Sequence, residues 1–198
     1  MTSENTDVHS RHLTVQTLAL LCLFWFSGQA LCGGLQPYDG FLESPGLSLE
    51  DLGGKNHNLE AYRGQVVLIN FWASWCPPCI LEMPDMQRLK DKLSGRPFTI
   101  LAVNVRESPG TIWKFLSRVK VDFTLLRDSD GQATRDWEVR VYPTSFLVDG
   151  KGEIRYIARG VREWDAPDII QLIEEMIAED NSPQDQIQSR LIPHRNRG

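Results

Sequence analysis

Short apolar runs and longer segments of helical periodicity alternate along the middle of the chain. The runs Gln65–Phe71 (QVVLINF) and Phe98–Val105 (FTILAVNV) are rich in β-branched residues and have the length of strands that are buried on both faces of a sheet. Between them, Pro77–Leu93 carries apolar residues on approximately one helical face, and Pro84 is expected to kink this helix. The pattern predicts two parallel strands joined by a helical crossover.

The second half of the chain continues this alternation. The predicted elements are a helix over Pro109–Val119, a strand over Phe123–Leu126, a short helix over Gly131–Trp137, strands over Thr144–Val148 and Glu153–Ala158, and a last helix capped by Asp165. Residues 149–152 (DGKG) form a hairpin turn between the last two strands. This order predicts an α/β fold, a three-layer α/β/α sandwich whose mixed central sheet has a parallel part and an antiparallel hairpin.

The two ends of the chain differ from its middle. Residues 13–34 are largely apolar, which is typical either of a signal peptide cut near Ala30 or of an uncleaved membrane anchor over Leu13–Leu31. Either interpretation places the rest of the chain outside the cytoplasm. We predict a signal peptide or N-terminal membrane anchor over 1–32, a linker rich in Gly and Pro over 33–47, one domain over 48–179 and a disordered tail over 180–198.

The predicted domain begins with two short segments on either side of Gly53-Gly54, within SLEDLGGKNHNLEAYRG. A turn signal between two such segments predicts an N-terminal hairpin. We place His57 in this turn, and we expect its side chain to be exposed to solvent.

Charge and cysteine content narrow the function. The 198 residues hold 21 Lys+Arg against 26 Asp+Glu, a net charge of −5 that gives no electrostatic basis for binding nucleic acid. Of the four cysteines, Cys22 and Cys32 lie in or beside the apolar segment, so the predicted domain holds one pair, Cys76 and Cys79. A scaffold of disulfides would need more cysteines, and a cross-link that closes so short a loop adds little stability. The pair therefore indicates a reactive site and not a structural cross-link.

The sequence around this pair, Trp75-Cys76-Pro77-Pro78-Cys79, follows directly after a predicted strand and opens a predicted helix. The free N–H groups and the dipole at a helix N-terminus favour an anion, so we expect Cys76 to be the attacking thiolate, with a pKa lowered from about 8.5 into a range of roughly 3.5 to 7.5. Cys79 lies about one turn further on, more enclosed, where it can resolve a mixed disulfide.

The two prolines between the cysteines suit the first turn of a helix, but each removes an N–H donor that would stabilise a thiolate. We therefore expect Cys76 to be less acidic, and the pair more reducing, than in strongly oxidising relatives.

Other uses of two cysteines fit less well. A zinc site needs two further ligands, and the only histidine after Cys79 is His194. A copper-delivery protein resembling the Sco family would need a wider cysteine spacing and a downstream histidine. A peroxidase resembling the peroxiredoxins needs Thr or Ser three residues before its cysteine, where this chain has Ala73 and places Ser74 one position off. Structural thiols without redox chemistry are a further alternative.

Two segments, RGQVVLINFWASWCPPCILEMP and VRVYPTSFLVDGKGEI, resemble the TlpA/ResA/CcmG family of extracytoplasmic thioredoxin-like thiol-disulfide oxidoreductases. The resemblance covers about residues 45–178. It implies a thioredoxin fold with an N-terminal β-hairpin extension and a strand-helix insertion near Pro109–Leu126.

The same resemblance implies roles for individual residues. Cys76 and Cys79 match the redox pair, and Pro143 matches a cis-proline that faces the active site. The backbone of Tyr142 would then be free to bind a substrate strand, and we add Trp75, Pro77, Pro78 and Thr144 to the candidate substrate-binding residues.

Glu82 matches an acidic residue near the cysteines of ResA-like members. If it is poorly solvated its pKa should be raised, so that it could relay a proton to or from the thiols; a solvated acid in the first part of the helix is the alternative. Ordinary thioredoxins carry a buried Asp where this chain has Asn70, which gives Glu82 more weight. CcmG-type members tend to have an acidic residue after the cis-proline, whereas Thr144 and Ser145 follow here.

Together these observations predict an exported enzyme that reduces disulfides in other exported proteins, for example apocytochromes c or copper-site proteins. Electrons would come from a membrane partner, since no GxGxxG fingerprint for a flavin or nicotinamide is present, and we expect no bound cofactor and no metal. A thiol oxidase or isomerase, and a peptide-binding chaperone without redox chemistry, are the alternatives.

Overall fold

The computed structural model describes residues 35–40 and 43–180. The strands within them are β1 (Gln36–Pro37), β2 (Ser48–Glu50), β3 (Asn56–Asn58), β4 (Val66–Trp72), β5 (Phe98–Val105), β6 (Thr124–Asp128), β7 (Thr144–Val148) and β8 (Ile154–Arg159). The α-helices are α1 (Pro77–Lys92), α2 (Pro109–Leu116), α3 (Gln132–Asp136) and α4 (Pro167–Asp180), and Leu59–Tyr62 forms a 3-10 turn.

The main sheet has six strands in the order β1-β8-β7-β4-β5-β6. Strands β4, β5 and β6 are parallel, and their connections run through α1 and α2. Strands β7 and β8 form the predicted hairpin, and β7 pairs antiparallel with β4. The mixed sheet and the α/β class predicted from the order of elements are therefore confirmed.

Two apolar clusters fill the two faces of this sheet. One contains buried residues of α1, α2 and α4, among them Met83, Phe115 and Ile173, together with Leu68 and Trp72 of β4. The other contains Leu47, Leu59 and residues near α3, together with Ile69 and Phe71 of β4. Successive side chains of a strand point to opposite faces. Because both faces of β4 are covered by these clusters, β4 is buried along its whole length. The domain is therefore a three-layer sandwich, with the sheet between two helical layers.

The predicted N-terminal hairpin is also present. Strand β2 pairs antiparallel with β3, and the backbone of Asp51 forms a bridge with Leu126 on the edge strand β6. The expectation that His57 is exposed was wrong, because its side chain is only 8% exposed. Its ring nitrogens contact the Tyr62 hydroxyl at 2.6 Å and the Asp51 carboxylate at 2.9 Å. Polar partners on neighbouring elements thus explain the burial of a histidine that the local sequence left in a turn.

Part of the predicted linker over 33–47 is packed on the domain, which corrects that prediction. Strand β1 pairs antiparallel with β8, and the Tyr38 ring lies edge-on to Phe146 at 6.3 Å. Leu47 is buried in the core. Proline is tolerated at the edge of a sheet because only one side of an edge strand needs donors, so Pro37 did not prevent pairing.

The last helix begins at Pro167, and Asp165 does not cap it as predicted. Its carboxylate instead accepts hydrogen bonds from Arg88 and Lys92 of α1, at 2.9 and 3.1 Å, and these hold the pKa of Asp165 down to about 2. The segment predicted over 1–32 lies outside the described residues, and so does the predicted tail over 180–198 except for its first residue. Asp180 is not part of a tail, because it ends α4 and accepts a hydrogen bond from the Gly150 N–H. Among residues 35–40 and 43–180, no helix combines the length and apolar character needed to cross a membrane.

Candidate active site

Cys76 and Cys79 lie at the start of α1, just after the connection from β4. Cys76 is the N-cap residue of α1, with extended backbone angles, and its Sγ accepts a hydrogen bond from the N–H of Cys79 at 3.3 Å. The two sulfurs form a disulfide, with a Cα–Cα distance of 5.3 Å. Cys76 is 4% exposed and Cys79 is fully buried, so the second sulfur is the more enclosed one, as expected.

Both prolines of the motif lie in the first turn of α1. Pro77 is exposed and Pro78 is half-buried. A side chain at the N-cap is normally reached by the N–H groups of the second and third helical residues. Because Pro78 has no N–H, Cys79 is the one residue of these two that donates to Cys76 Sγ.

The loop that precedes β7 contains a cis peptide bond between Tyr142 and Pro143, as the resemblance implied. The Tyr142 ring packs edge-on against Trp75, with ring centres 5.8 Å apart, so this loop lies beside the cysteine motif. Trp75 is 64% exposed and Val141 is also exposed, which leaves an apolar surface next to the disulfide. Thr144 is buried and donates its hydroxyl to the Val141 carbonyl, so its side chain stabilises the loop from within.

Glu82 is fully buried beneath the cysteines, on the same helix. Burial raises the pKa of this carboxyl to about 7, although hydrogen bonds from Trp164, Asn70 and the Arg162 backbone oppose the shift. Of the two environments considered for Glu82 from the sequence, the structure shows the poorly solvated one. A carboxyl that titrates near neutral pH within one turn of Cys79 can accept or release a proton there.

Sequence reasoning missed most of the partners of Glu82. Asn70 Nδ2 donates to Glu82 Oε1 at 2.7 Å, Trp164 Nε1 donates to Oε2 at 3.1 Å, and the Arg162 N–H donates to Oε2 at 3.2 Å. The only sequence signal was Asn70, a polar residue inside an apolar strand. Trp164 and Arg162 lie in the connection between β8 and α4, about 80 positions away, and no local pattern marks them.

A second missed group fixes the loop before Cys76. Glu107, in the connection after β5, accepts hydrogen bonds from the backbone and hydroxyl of Ser74, at 2.7 and 2.5 Å. Asn104 donates to the same carboxylate at 2.7 Å. These contacts join the ends of β4 and β5 and hold the residues that lead into Trp75 and Cys76.

The described residues contain no group of three or more His, Cys, Asp and Glu side chains arranged to hold a metal ion.

Comparison with known proteins identifies the family. The sequence model of the AhpC/TSA family matches residues 43–157. The chain belongs to this family. Position 73, where a peroxidase of the peroxiredoxin type carries a hydroxyl, is a fully buried alanine in this family member, and the Ser74 hydroxyl is bound to Glu107.

Curated relatives of this family member are thiol-disulfide oxidoreductases. It is 39% identical to ResA of Geobacillus kaustophilus over 117 residues, which covers 59% of this chain and 67% of the relative. ResA of Bacillus subtilis is 31% identical over 76% of this chain and 86% of its own length. The sporulation thiol-disulfide oxidoreductase A of Bacillus subtilis is 30% identical over 78% and 96%.

Solved structures agree with this assignment. A protein described as thiol:disulfide interchange protein DsbE from Chlorobium tepidum superposes with a TM-score of 0.61 at 32% identity, covering 74% of this chain and 99% of that one. A protein described as a thioredoxin from Neisseria meningitidis gives a TM-score of 0.63 at 29% identity, covering 80% and 100%. The predicted thioredoxin fold is confirmed, and this family member is a thiol-disulfide oxidoreductase, an enzyme of protein-disulfide reduction by thiol-disulfide interchange.

Proposed function

We propose that this enzyme reduces disulfides of exported proteins outside the cytoplasm, with Cys76 as the nucleophile and Cys79 as the resolving thiol. The observation that carries the proposal is the position of Cys76 Sγ at the N-cap of α1, next to the exposed Trp75 and the cis Tyr142-Pro143 loop. A thiolate there is stabilised by the helix terminus, and a substrate can approach it from the apolar side.

The reaction begins from the dithiol. The Cys76 thiolate attacks one sulfur of the substrate disulfide, which forms a mixed disulfide and releases the other substrate sulfur as a thiolate. Cys79 then loses its proton and attacks Cys76 Sγ. This step forms the Cys76–Cys79 disulfide and releases the second substrate thiolate. Two electrons have passed from the enzyme dithiol to the substrate, and a donor must return them.

Glu82 is proposed as the group that takes the proton of Cys79. Its raised pKa of about 7 lets it exist in both forms near neutral pH, and it lies one helical turn beyond Cys79. In the reverse half of the cycle, when a donor reduces the disulfide, the same carboxyl returns a proton to the outgoing sulfur.

Substrate binding is proposed for Trp75, Pro77, Pro78, Tyr142 and Pro143. Within the described residues, the backbone N–H and carbonyl of Tyr142 form no hydrogen bond, so an extended substrate segment could pair with them. Trp75 and Val141 offer apolar contact on either side, while Thr144 supports the loop. This surface suits an unfolded or extended polypeptide better than a small molecule.

For the location, the substrates and the donor, the proposal rests on the sequence alone. The apolar segment within 1–32 would export or anchor the protein. Apocytochromes c and copper-site proteins are the proposed substrates. A membrane protein that carries electrons across the bilayer is the proposed donor.

A trapping experiment tests the function. Cys79→Ser removes the resolving thiol, so we expect this variant to accumulate mixed disulfides with its substrates in cells, which also identifies them. The matched control is Cys76→Ser, which leaves one thiol but removes the nucleophile and should trap nothing. If Cys76→Ser keeps full activity, the protein is a chaperone and the proposal is wrong.

The direction of electron flow has its own test. A reductase should show a reduction potential well below about −150 mV and should be found as the dithiol in cells. A higher potential, together with a pair found oxidised in cells, would indicate the oxidase or isomerase alternative.

A further inference from the structure

The two oxygens of Glu82 have different surroundings. Oε2 accepts hydrogen bonds from the indole N–H of Trp164 and the backbone N–H of Arg162, and neither group can accept a proton in return. Oε1 faces the side-chain amide of Asn70 at 2.7 Å. When Glu82 is protonated, its proton must therefore lie on Oε1, pointing toward Asn70.

The Asn70 amide is arranged for the other form of Glu82. Its Nδ2 donates both to Glu82 Oε1 and to Ser145 Oγ, at 2.7 and 2.8 Å. This arrangement suits a carboxylate. With a proton on Oε1, two donors would face each other across the same short distance.

The remaining atom of this amide is unusual. Asn70 is fully buried, and its Oδ1 has no hydrogen-bond partner among the described residues. An unpaired buried acceptor is destabilising, so its presence in the centre of the sheet requires a reason.

A half-turn of the Asn70 amide about its Cβ–Cγ bond explains why this acceptor is left unpaired. Oδ1 then takes the place of Nδ2, where it can accept from the Glu82 carboxylic acid and from the Ser145 hydroxyl, which can donate as well as accept. Asn70 and Ser145 are direct partners across β4 and β7, so the hydroxyl stays within reach. One orientation matches ionised Glu82, the other matches protonated Glu82, and each leaves one amide group without a partner.

We propose that Asn70 is a positioning residue whose amide turns over when Glu82 gains or loses its proton, with the Ser145 hydroxyl reversing its hydrogen bond at the same time. Glu82 thus keeps a hydrogen bond on Oε1 in both forms. Asn70 then favours the carboxylate less than a fixed donor would, and the proton can be passed in both directions of the redox cycle. This deepens the proposed proton-relay function of Glu82, although it needs only that Glu82 titrates.

The groups packed around Glu82 are few. From α1, Cys76 and Cys79 lie one to two turns before it. The connection after β8 contributes Arg162, whose charge lowers the pKa of Glu82, and the neutral Trp164. Strands β4 and β7 contribute the neutral pair Asn70 and Ser145. An aspartate in place of Asn70 would put two carboxyls at hydrogen-bond distance, and their titrations would then be coupled.

The first test uses nuclear magnetic resonance on the full-length disulfide form between about pH 5 and 9, with asparagine amides labelled. Above the titration of Glu82, the Asn70 amide protons should show contacts with the Ser145 β-protons. Below it these contacts should weaken or vanish, with the same midpoint as the Glu82 carboxyl carbon. Unchanged contacts at both ends of the titration overturn the proposal, and this outcome depends on no variant folding.

The second test compares Asn70→Leu with the unmodified protein. An amide that can hydrogen-bond both forms of Glu82 changes the carboxyl midpoint by no more than about half a unit when it is removed. A fixed donor stabilises only the carboxylate, so its removal raises the midpoint by about one unit or more, which contradicts the turnover.

These measurements separate the amide turnover from the catalytic role of Glu82. If the amide contacts change with pH but Glu82→Gln leaves the pH profile of disulfide reduction unchanged, the turnover stands and the relay function is wrong. If the profile changes in Glu82→Gln but the contacts are constant, the relay stands and the turnover is wrong.

Discussion

At the scale of single residues, Glu82 shows how burial changes the chemistry of an ordinary side chain. Its carboxyl is fully buried, and its hydrogen bonds from Asn70, Trp164 and Arg162 only partly offset the cost of removing a charge from water. The result is a pKa of about 7, in the range where a group can act both as acid and as base.

The stability of the disulfide form should fall as the pH rises through the titration of Glu82. Its pKa is 4.5 when unfolded and about 7 when folded, so the folded protein binds this proton more tightly. Its contribution to stability is complete below about pH 4.5 and is lost as the pH rises through about 7. Glu82→Gln removes this loss. The free energy of unfolding of Glu82→Gln minus that of the wild type should therefore rise by roughly 3 kcal/mol as the pH increases from about 4.5 to about 7.

Urea unfolding of the disulfide form at several pH values measures this difference. Glu174→Gln, an exposed change in α4, is the matched control and should give a difference that hardly varies with pH. A flat difference for Glu82→Gln as well would mean that Glu82 is ionised throughout.

Trp75 is expected to bind substrate rather than to stabilise the fold, because 64% of its surface is exposed. Trp75→Ala should lower kcat/KM for a protein substrate about tenfold, equivalent to about 1.4 kcal/mol, with little change in Tm. Trp113→Ala is the matched control, since Trp113 is 56% exposed but lies on α2 beside Leu52 of the hairpin region. Equal effects of the two substitutions on kcat/KM would show that the Trp75 surface is not a docking site.

Single residues were only partly predictable. The sequence indicated Cys76 and Cys79 because they form a short local motif at the start of a predicted helix, and the resemblance to a known family indicated Pro143. It left the environment of Glu82 open and missed Trp164 and Glu107, because their partners are distant in sequence. His57 was misjudged for another reason: its partners Asp51 and Tyr62 are only six and five positions away, but no periodic pattern shows that the chain folds back to bring them together.

At the scale of elements, the start of α1 places Cys76 at the N-cap but offers it fewer backbone N–H donors than most helices would. Cys76 is the N-cap, Pro77 and Pro78 occupy the first two helical positions, and Cys79 provides the N–H that reaches the sulfur. The helix thus stabilises the Cys76 thiolate less than one with N–H groups at every position would.

Restoring a donor at the second position should make the pair more oxidising. In Pro78→Ala, the new N–H can donate to Cys76 Sγ, which stabilises the reduced form. One hydrogen bond to a charged group, about 1.4 kcal/mol, corresponds to a rise of about 30 mV in the reduction potential and a lower pKa of the Cys76 thiol. Equilibration with glutathione measures the potential.

Pro77→Ala is the control for this experiment, because an N–H at the first helical position does not point at the N-cap side chain. It should shift the potential less than Pro78→Ala does. A larger shift in Pro77→Ala would show that helix flexibility, and not the number of donors, controls the potential.

Elements were predicted more completely than residues. The strands, the helices after Cys76 and after Ser108, and the hairpin around residues 149–152 are where their periodicity and turn signals placed them. Strand β1 was missed because it has only two residues, one of them proline, in a segment with the composition of a linker.

At the scale of the whole molecule, β1 extends the sheet beyond the closing hairpin. The Tyr38 N–H donates to the Arg155 carbonyl at 2.9 Å, and the Tyr38 ring packs on Phe146, which belongs to the aromatic cluster with Phe71 and Trp137. The chain leading from the N-terminal segment is therefore attached to the domain on the face opposite Glu82.

Loss of the Tyr38 ring should release this leading segment without disturbing the active site. Tyr38→Ala is expected to speed proteolytic cleavage within residues 35–47 several-fold, while the rate of disulfide reduction stays unchanged. Tyr38→Phe, which keeps the ring, is the control and should be cleaved at the wild-type rate. A loss of reductase activity in Tyr38→Ala would show that the segment supports the site.

The sequence by itself determined the order of elements, the α/β class and the place of the cysteine pair at the start of a helix. These depend on periodicity, turn residues and caps, which act between residues a few positions apart. Only the tertiary structure decided that Glu82 is buried, that Asn70 meets Ser145, and that Tyr38 docks on the sheet. Those contacts join residues 75 to 82 positions apart, or a short edge strand to its neighbour, and they form only when the sheet and both helical layers close around them.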